Sequence, residues 1–389
     1  MSFDFDDAPA RRGSGSLKWD LPSQEGVIPL WVADMDFRAA PCVIEALRRR
    51  VDHGVFGYEL VPEKWYKAVA SWLGASEGLE ADESWLIPVP GAVPALSAAL
   101  KAMTLPGDQI ITATPAYNCF FSSIRNTGCE LSASPLWWSG ERWEADFQDL
   151  DERAQTPRAR VLLICNPHNP TGRLWSRDEL LRMGRIALEH GLYVISDEIH
   201  CDIRPSGSAF TPFASLGKEF ASISVTLNAP SKAFNLAGCQ NAYMVVPDPA
   251  VRERCDRAVN INEVCDVNPF GVAAAIAAYT EGRPWLDSLN AYLRGSIEAA
   301  AAFIRERLPK ARFAIPEAGY LMWLDLNGYC HDSDALDSAL LKRGVMLSRG
   351  TEYGAQWEGF MRLNTACPRS LLLKGLERLE QGVTDAARA

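Results

Sequence analysis

Three short apolar runs in the middle of the chain are each followed by a polar side chain suited to acid–base or covalent chemistry. These side chains are the amide of Asn169, the carboxylate of Asp197 and the amine of Lys232. Runs this short and rich in Val, Ile and Leu are typical of strands buried on both faces. Ligands bind beyond the C-terminal ends of parallel strands, so we expect the three groups to meet at one sheet edge. The runs occupy residues 161–165, 192–196 and 223–227.

A fourth feature is the predicted start of a helix after Pro90 and Gly91, with Pro94 near its first turn. The backbone N–H groups of Ala92 and Val93 at such a start suit a phosphate. An amine, a carboxylate, an amide donor and a phosphate cup are together what pyridoxal 5'-phosphate requires. The amine bonds the aldehyde, the carboxylate faces the pyridine nitrogen, and the amide polarises the phenolic oxygen.

The elements that position these groups alternate between strand and helix. Ser176 and Glu179 form the capping box of a helix, and Gly191 lies where a C-terminal glycine belongs. Strand, helix and strand repeated in this way predict an α/β domain with a mainly parallel sheet covered by helices. We expect this large, cofactor-binding domain to span residues 46–282.

The last hundred residues predict a smaller α+β domain, over 283–389. Its predicted elements are strands at 321–326 and 361–364 and helices at 335–342 and from 369 onward. Residues 1–45 are expected to form an N-terminal arm and part of the small domain. The first 27 residues predict a loose arm, because little apolar periodicity surrounds Gly13 and Gly15.

Composition excludes several classes of function. The 389 residues carry a net charge of −10, which argues against nucleic acid as the main partner. The sequence has no uninterrupted apolar stretch of about 18 residues, so it predicts no membrane span. Ten cysteines without a CxxC pair, and an acidic start without an apolar signal core, predict reduced thiols and a cytoplasmic protein. With five histidines and no HExxH motif, we expect no metal site.

Several conspicuous residues are better explained by structure than by chemistry. His168 is expected to shape its turn, and Cys201 and Cys239 to be small buried thiols rather than nucleophiles. Trp137, Trp138 and Trp143 are expected to serve in packing or at a dimer surface.

Six motifs give the chain a specific family resemblance. Three of them, in this order, resemble the fold-type I pyridoxal-phosphate enzymes of the aminotransferase superfamily: NPHNPTG (166–172), SDEIH (196–200) and SKAFNLAG (231–238). Three more resemble the bacterial cystathionine β-lyase, or C–S lyase, branch: LWVADMDF (30–37), DEIHCD (197–202) and APSK (229–232). The resemblance implies an aspartate-aminotransferase-like fold, with a seven-stranded type of sheet and a smaller α+β domain.

The resemblance implies a role for each matching residue around the cofactor. Lys232 resembles the Schiff-base lysine and acid–base catalyst, Asp197 the partner of the pyridine nitrogen, and Asn169 the donor to the phenolic oxygen. The remaining cofactor-binding positions are Ala92, Val93 and Ser231 at the phosphate, Tyr117 stacked on the ring, and His200.

The resemblance also implies substrate and subunit contacts. Arg362 resembles the arginine that binds the substrate carboxylate, a task that suits the bidentate guanidinium. Ala33 is a substrate-binding position. Tyr58 resembles a tyrosine that reaches the phosphate and substrate of the neighbouring subunit, which implies a homodimer with two-fold symmetry.

Three positions depart from the wider superfamily. His200 stands where many transaminases have tyrosine, Gln240 where they have a phosphate-binding arginine, and Ala229 where serine is usual. The phosphate must therefore depend on Ser231, backbone amides and Tyr58. The C–S lyase branch shares much of this pattern, so the departures favour that branch.

Three functions remain open from the residues alone. The first is a C–S β-lyase that eliminates a thiol from cysteine thioethers and yields pyruvate and ammonia. The second is a class I/II aminotransferase, which would use the same residues. The third is a pyridoxal-phosphate-bound regulatory protein that acts through a partner. The branch resemblance favours the lyase.

Overall fold

The computed structural model describes residues 3–22, 24–261 and 263–388. The strands are β1 Ile28–Pro29, β2 Leu86–Val89, β3 Gln109–Thr114, β4 Glu130–Pro135, β5 Trp137–Trp138, β6 Trp143–Glu144, β7 Ala159–Cys165, β8 Tyr193–Asp197, β9 Ser224–Asn228, β10 Ala242–Val245, β11 Leu321–Asp325, β12 Val345–Met346, β13 Ser348–Arg349 and β14 Phe360–Asn364.

The α-helices are α1 Leu17–Asp20, α2 Pro41–His53, α3 Glu63–Trp72, α4 Ala92–Met103, α5 Asn118–Asn126, α6 Phe147–Ala154, α7 Arg177–Glu189, α8 Lys218–Ala221, α9 Pro230–Ala233, α10 Pro249–Ile261, α11 Pro269–Glu281, α12 Arg283–Arg307, α13 Ser333–Lys342 and α14 Arg369–Ala386. One turn of π-helix, Leu73–Glu77, continues α3.

A seven-stranded sheet is built from strands between residues 86 and 245. Its strand order is β2-β10-β9-β8-β7-β3-β4, and the contiguous strands from β9 to β4 pair in parallel. Only β10 pairs antiparallel with its neighbours, β2 and β9. This sheet confirms the predicted fold class, and the runs predicted as strands at 161–165, 192–196 and 223–227 overlap β7, β8 and β9.

Strand β7 is apolar because helices cover both faces of the sheet. In β7, Val161 and Leu163 pack into the core beneath α4, α5 and α10. The alternate residues Leu162 and Ile164 pack into the core beneath α6 and α7. Successive side chains of a strand point to opposite faces, so both sets are buried here. Strand β9 is buried as well, but three of its side chains, Ser224, Thr226 and Asn228, are polar.

The local signals for α7 are confirmed. Ser176 Oγ accepts a hydrogen bond from the backbone N–H of Glu179, and the Glu179 carboxylate accepts one from the backbone N–H of Ser176. Gly191 follows the helix with φ of 66°, the left-handed conformation that glycine adopts without strain.

A second, smaller sheet lies near the C-terminal end of the chain. Its order is β11-β14-β13, with antiparallel pairing throughout. Helices α12, α13 and α14 pack around it in a common apolar core. The strand β1 joins this part by pairing in parallel with β12, so the segment after the N-terminal arm belongs to the same layer.

The N-terminal arm differs from the loose segment that the sequence predicts. Phe5 packs among Phe37, Trp285 and Tyr292. Lys18 is fully buried and lies 3.0 Å from a carboxylate oxygen of Asp36. Contacts between residues far apart in sequence hold the arm, and such contacts leave no periodic pattern. Among the described residues, no helix has both the length and the apolar character needed to cross a membrane.

Candidate active site

Asp197 lies at the centre of the C-terminal edge of the main sheet. It is the last residue of β8, where it pairs with Cys165 of β7 and Leu227 of β9. Asn169 follows Cys165 by four residues, and Lys232 follows Leu227 by five. The topology therefore brings the amide, the carboxylate and the amine to one sheet edge, as the order of the apolar runs predicts.

A cavity of about 180 Å³ opens at this edge. Most of the expected cofactor-binding residues line it: Ala92, Val93, Tyr117, Asp197, Ser231 and Lys232. Gln240, which replaces the usual arginine, lines it as well. The lining of the cavity thus combines an amine, a carboxylate, the start of a helix and an aromatic side chain.

The helix start belongs to α4. Gly91 precedes it with an extended backbone and no side-chain cap, so the first N–H groups of the helix have no capping acceptor. Ala92 and Val93 occupy the first two helical positions. A helix of 12 residues carries partial positive charge at this end, which suits an anion such as a phosphate.

The amine of Lys232 has a lowered pKa. Its Nζ donates a hydrogen bond to the carbonyl oxygen of Ala33, at 2.7 Å. Desolvation by the surrounding protein, aided by the positive charge of Arg362, lowers the pKa of Lys232 to about 8. The charge of Asp197 opposes this shift without cancelling it. A base with this pKa is partly neutral near physiological pH.

Asp197 keeps its charge despite its burial. Desolvation raises its pKa to about 6, while a hydrogen bond from the backbone of Ile199 and the charge of Lys232 act in the opposite direction. The backbone N–H of Ile199 lies 3.3 Å from Asp197 Oδ1. Above pH 6 the group is therefore mainly a carboxylate, the form that would hold a protonated ring nitrogen.

Arg362 is a buried cation without an acidic partner. Its guanidinium donates to Asn169 Oδ1 at 3.1 Å, to the carbonyl of Trp31 at 2.7 Å and to Ser348 Oγ at 3.3 Å. It also lies over the ring of Tyr353, 5.0 Å from the centroid. No ion pair within the described residues includes Arg362, although a buried charge is normally paired. An anionic ligand would supply the missing charge.

Asn169 and His200 are two further expected cofactor-binding residues, and both lie near Arg362. Because Asn169 Oδ1 accepts from Arg362, its amide NH₂ remains available as a donor. Burial lowers the pKa of His200 to about 3, so its ring is neutral at physiological pH. His200 packs edge-on against Tyr320 at 6.3 Å, and its Nδ1 has no hydrogen-bond partner among the described residues.

Tyr58 is an expected site residue that does not line the cavity in the single chain. It is 97% exposed, within an exposed segment that runs from residue 51 to residue 60. Three of the residues expected to be structural behave as predicted, whereas Cys239, expected to be buried, is only partly buried. His168 Nδ1 lies 2.8 Å from Thr171 Oγ1 within its turn, Trp143 packs against Trp357, and Cys201 is buried.

These residues fit pyridoxal 5'-phosphate. The cavity offers an amine for the aldehyde, a buried carboxylate for the ring nitrogen and an uncapped helix start for the phosphate. Asn169 is not among the residues that line this cavity; its Oδ1 accepts from Arg362, which leaves its amide NH₂ as a donor. The chain therefore offers each kind of group that this cofactor needs.

Comparison with known proteins agrees with this chemistry. The sequence matches the aminotransferase class I and II family over residues 25–379. The chain belongs to this family. It is 41% identical to the cystathionine beta-lyase PatB of Bacillus subtilis, over 98% of this chain and 100% of that protein.

Solved structures show the same family relationship. Cystalysin from Treponema denticola, which contains a pyridoxal 5'-phosphate cofactor, matches with a TM-score of 0.96 and 32% identity, over 99% of this chain and 100% of the other. The PLP-bound C–S lyase from Staphylococcus hominis matches with a TM-score of 0.92 and 31% identity, over 98% and 99%. The fold-type I assignment and the resemblance to the C–S lyase branch are confirmed.

The residues that hold the segment 31–37 beside Lys232 were not predicted from the sequence. Tyr320 donates to the carbonyl of Ala33 at 3.0 Å. Asn364 donates to the carbonyls at both sides of Ala33, at 2.6 and 2.7 Å. Asn235 accepts from the backbone of Met35 at 3.0 Å. Asn364 ends a predicted strand, so the signal that singled out Asp197 would also have found Asn364.

Proposed function

We propose that this protein is a pyridoxal-phosphate-dependent C–S β-lyase acting on cystathionine or a related cysteine thioether. One thioether and one water give one thiol, one pyruvate and one ammonium ion. The identity of 41% to a named cystathionine beta-lyase over nearly the whole chain supports the assignment. The solved C–S lyase that shares the fold supports it further.

The single observation that carries the proposal is the placement of Lys232. Its amine, with a pKa of about 8, lies in one cavity with Asp197 and the start of α4. When bound, pyridoxal phosphate supplies an electron sink for the α-carbon of an amino acid. Lys232 would bond its aldehyde, Asp197 would face its ring nitrogen, and Tyr117 would stack on its ring.

The other contacts to the cofactor follow from the same geometry. Ala92 and Val93 would donate their backbone N–H groups to the phosphate, and Ser231 its hydroxyl. Asn169 would donate its amide to the phenolic oxygen. The neutral ring of His200 would close the side of the pocket near Tyr320.

The reaction needs a proton taken from the substrate α-carbon and a thiolate released from the β-carbon. Arg362 would hold the substrate carboxylate and so orient the Cα–H bond toward Lys232. The neutral amine of Lys232 would take that proton. The carbonyl of Ala33, which already accepts from Lys232, would keep the amine beside the substrate.

A panel of amino acids tests this proposal. Purified protein is incubated with L-cystathionine, L-cystine, S-alkyl cysteines and control amino acids, and pyruvate, ammonia and thiol are measured without any keto acid. Equal amounts of the three products from a thioether are expected. If products appear only when a keto acid is added, the protein is an aminotransferase. If neither activity appears and a partner copurifies, the regulatory function replaces both.

We also infer a homodimer in which Tyr58 reaches the neighbouring active site. In the single chain Tyr58 is 97% exposed and Leu60 is 91% exposed, an unusual state for large apolar side chains. A second copy that covers the segment 51–60 would bury them and complete the phosphate site that lacks an arginine at Gln240.

Mixed dimers test this assembly. A Tyr58→Phe chain combined with a Lys232→Ala chain should regain activity, because one of the two hybrid sites then carries neither change. A mixture of Asp197→Asn and Lys232→Ala chains is the matched control, since each hybrid site keeps one lesion. Full activity in a monomer would contradict the dimer.

The division into domains at residues 46 and 282 and the cytoplasmic location are further proposals. The location is supported by the cysteines, since all ten are free thiols. Limited proteolysis near residue 282 and fractionation of cells test these two proposals separately.

A further inference from the structure

A buried cluster of one thiol and two carboxyl groups lies behind the active site. We call it the thiol–carboxylate cluster; its members are Glu77, Cys201 and Asp202. One potential ligand atom from each lies within 4.8 Å of the others. Glu77 is 4% exposed, Asp202 5% and Cys201 1%. Glu77 ends the π-turn that continues α3, and the other two follow Asp197 by four and five residues.

Neighbouring donors hold one oxygen of each carboxyl group. Trp72 Nε1 donates to Asp202 Oδ2 at 2.9 Å. Asn228 Nδ2 donates to Glu77 Oε1 at 3.0 Å and lies 3.4 Å from Cys201 Sγ. The other oxygens, Glu77 Oε2 and Asp202 Oδ1, are buried and have no hydrogen-bond partner among the described residues. Metal-binding carboxylates are oriented in this way, with one oxygen held by a donor and the other turned to the ion.

Within the described part of the chain, the cluster has no cation in direct contact, although the positive charges of Arg204 and Arg283 act on Asp202. No ion pair of the described residues includes Glu77 or Asp202. Arg204 and Arg283 lie on the Asp202 side, but Arg204 donates to the carbonyl of Ser76, and Arg283 to the Ser76 hydroxyl and to Asp287. Buried carboxyl groups need a compensating charge, a proton or a metal ion.

We propose that Glu77, Cys201 and Asp202 bind a divalent transition-metal ion, with Zn²⁺ as the best fit. A thiolate with two carboxylates and one water gives four-coordinate Zn²⁺, with bonds of about 2.0–2.3 Å. Asp202 also lines a pocket of about 330 Å³ between the segment 204–208 and α12, and Arg204, Arg283 and Arg294 line the same pocket. Binding releases the thiol proton and any carboxyl proton to solvent.

The ion would join two segments that are far apart in the sequence. Glu77 belongs to the layer of α3, whereas Cys201 and Asp202 belong to the segment that leaves Asp197 and passes His200. The proposed site is therefore a stabilising and positioning site behind the cofactor cavity. It takes no part in the bond changes at the substrate, and it stands whether or not the proposed reaction is correct.

Metal stoichiometry tests the proposal. The holoenzyme is treated with chelator, dialysed against Zn²⁺ and buffer-washed, and zinc is measured by mass spectrometry. A second set of potential ligands, Asp151, Glu189 and His190, is partly exposed, so each measurement is made in a His190→Ala background. We expect one Zn²⁺ per chain, reduced at least tenfold by Cys201→Ser. Cys255→Ser, which changes a buried cysteine outside the cluster, is the matched control and should keep the ion.

Two further readouts separate binding from general destabilisation. Co²⁺ should give the visible d–d bands of a tetrahedral thiolate site, and Cys201→Ser should abolish them while Cys255→Ser does not. Free Zn²⁺ at 100 times its Kd should raise the folding equilibrium constant about 100-fold.

Less than one-tenth of an ion per chain, or equal zinc in Cys201→Ser and control, would overturn the proposal. Shared protons would then satisfy the cluster. Pyruvate assays on the same samples report the proposed reaction independently.

Discussion

Two lysines contact the segment 31–37, and their surroundings differ. Lys18 is fully buried and lies 3.0 Å from Asp36 and 3.7 Å from Asp34. Arg11 lies 2.7 Å from each of the same two carboxylates. Lys232, by contrast, donates to the uncharged carbonyl of Ala33.

The difference separates a cation paired with carboxylates from one whose pKa is lowered. Lys18 pairs with both carboxylates and so fastens the N-terminal arm to the segment. Lys232 has no carboxylate in hydrogen-bond contact, and desolvation, aided by the positive charge of Arg362, lowers its pKa to about 8. Arg362 is likewise without an acidic partner among the described residues. Unpaired buried cations therefore mark the active site, and paired ones mark the contact that supports it.

The largest effect is expected from Lys232→Ala. The variant should lose the covalent link to the cofactor and at least about 10³-fold in pyruvate release, because it removes both the nucleophile and the base. Borohydride reduction followed by peptide mapping of the wild type should place the pyridoxyl group on Lys232. Lys64→Ala, at an exposed position, is the control. A pyridoxyl group on any other lysine would contradict the assignment.

Arg362→Ala should have the next largest effect. The loss of a buried, charged, bidentate contact costs about 2–5 kcal/mol, which lowers kcat/KM by roughly 30- to 5000-fold on every amino acid tested. Arg312→Ala removes an arginine whose side chain is mostly exposed and paired with Asp325, so it should keep kcat/KM near the wild-type value. If Arg362→Ala changed kcat/KM no more than Arg312→Ala did, the substrate carboxylate would bind elsewhere.

Lys18→Met tests the other side of the comparison. Removing one partner of a buried ion pair costs about 3–5 kcal/mol. The lower end is expected here because Asp36 keeps Arg11 and the indole N–H of Trp19. The thermal midpoint should fall by several degrees, while kcat changes less than about threefold. Lys374→Met, on the exposed face of α14, should leave the midpoint unchanged. A large loss of kcat with an unchanged midpoint would refute a purely structural role for Lys18.

The positions of these groups were predictable to different degrees. Asp197 and Lys232 could be identified because each follows a buried apolar run, and the sheet order brings such ends together. Strand β10 is not among the predicted strands, although residues 242–245 are apolar. Neither the contact of Lys18 with Asp36 nor the pairing of Arg362 with Trp31 follows from periodicity. Both join residues that are brought together only by the packed tertiary structure.

The pH dependence of cofactor capture sharpens the comparison further. Only the neutral amine of Lys232 attacks the aldehyde, so cofactor-free protein should capture pyridoxal phosphate at a rate that levels off above about pH 8. Below that value the rate should fall about tenfold per pH unit. The rate is followed by the absorbance of the bound cofactor.

Two variants should shift this midpoint in opposite directions. Asp197→Asn removes a negative charge that raises the pKa of Lys232, so the midpoint should move below pH 8. Arg362→Gln removes a positive charge that lowers it, so the midpoint should move above pH 8. An unchanged midpoint in both variants would show that desolvation alone sets the pKa.

Tyr320→Phe should give the smallest effect, because it changes only the shared carbonyl. Ala33 accepts from Tyr320 at 3.0 Å and from Lys232 at 2.7 Å, so the hydroxyl and the amine are held by one acceptor. Removing the hydroxyl loses one hydrogen bond worth about 0.5–1.5 kcal/mol, or about two- to twelvefold in kcat/KM. The carbonyl then turns more freely, and Lys232 is less well oriented toward the substrate α-carbon.

The control and the readout distinguish orientation from packing. Tyr329→Phe also removes a tyrosine hydroxyl, one that accepts from the backbone of Lys310, and should leave kcat/KM unchanged. In Tyr320→Phe the loss should appear mainly in kcat, since the carboxylate contact at Arg362 is intact and substrate binding persists. A loss confined to KM would mean that Tyr320 shapes the substrate pocket instead. The Ala33 carbonyl would then serve Lys232 alone.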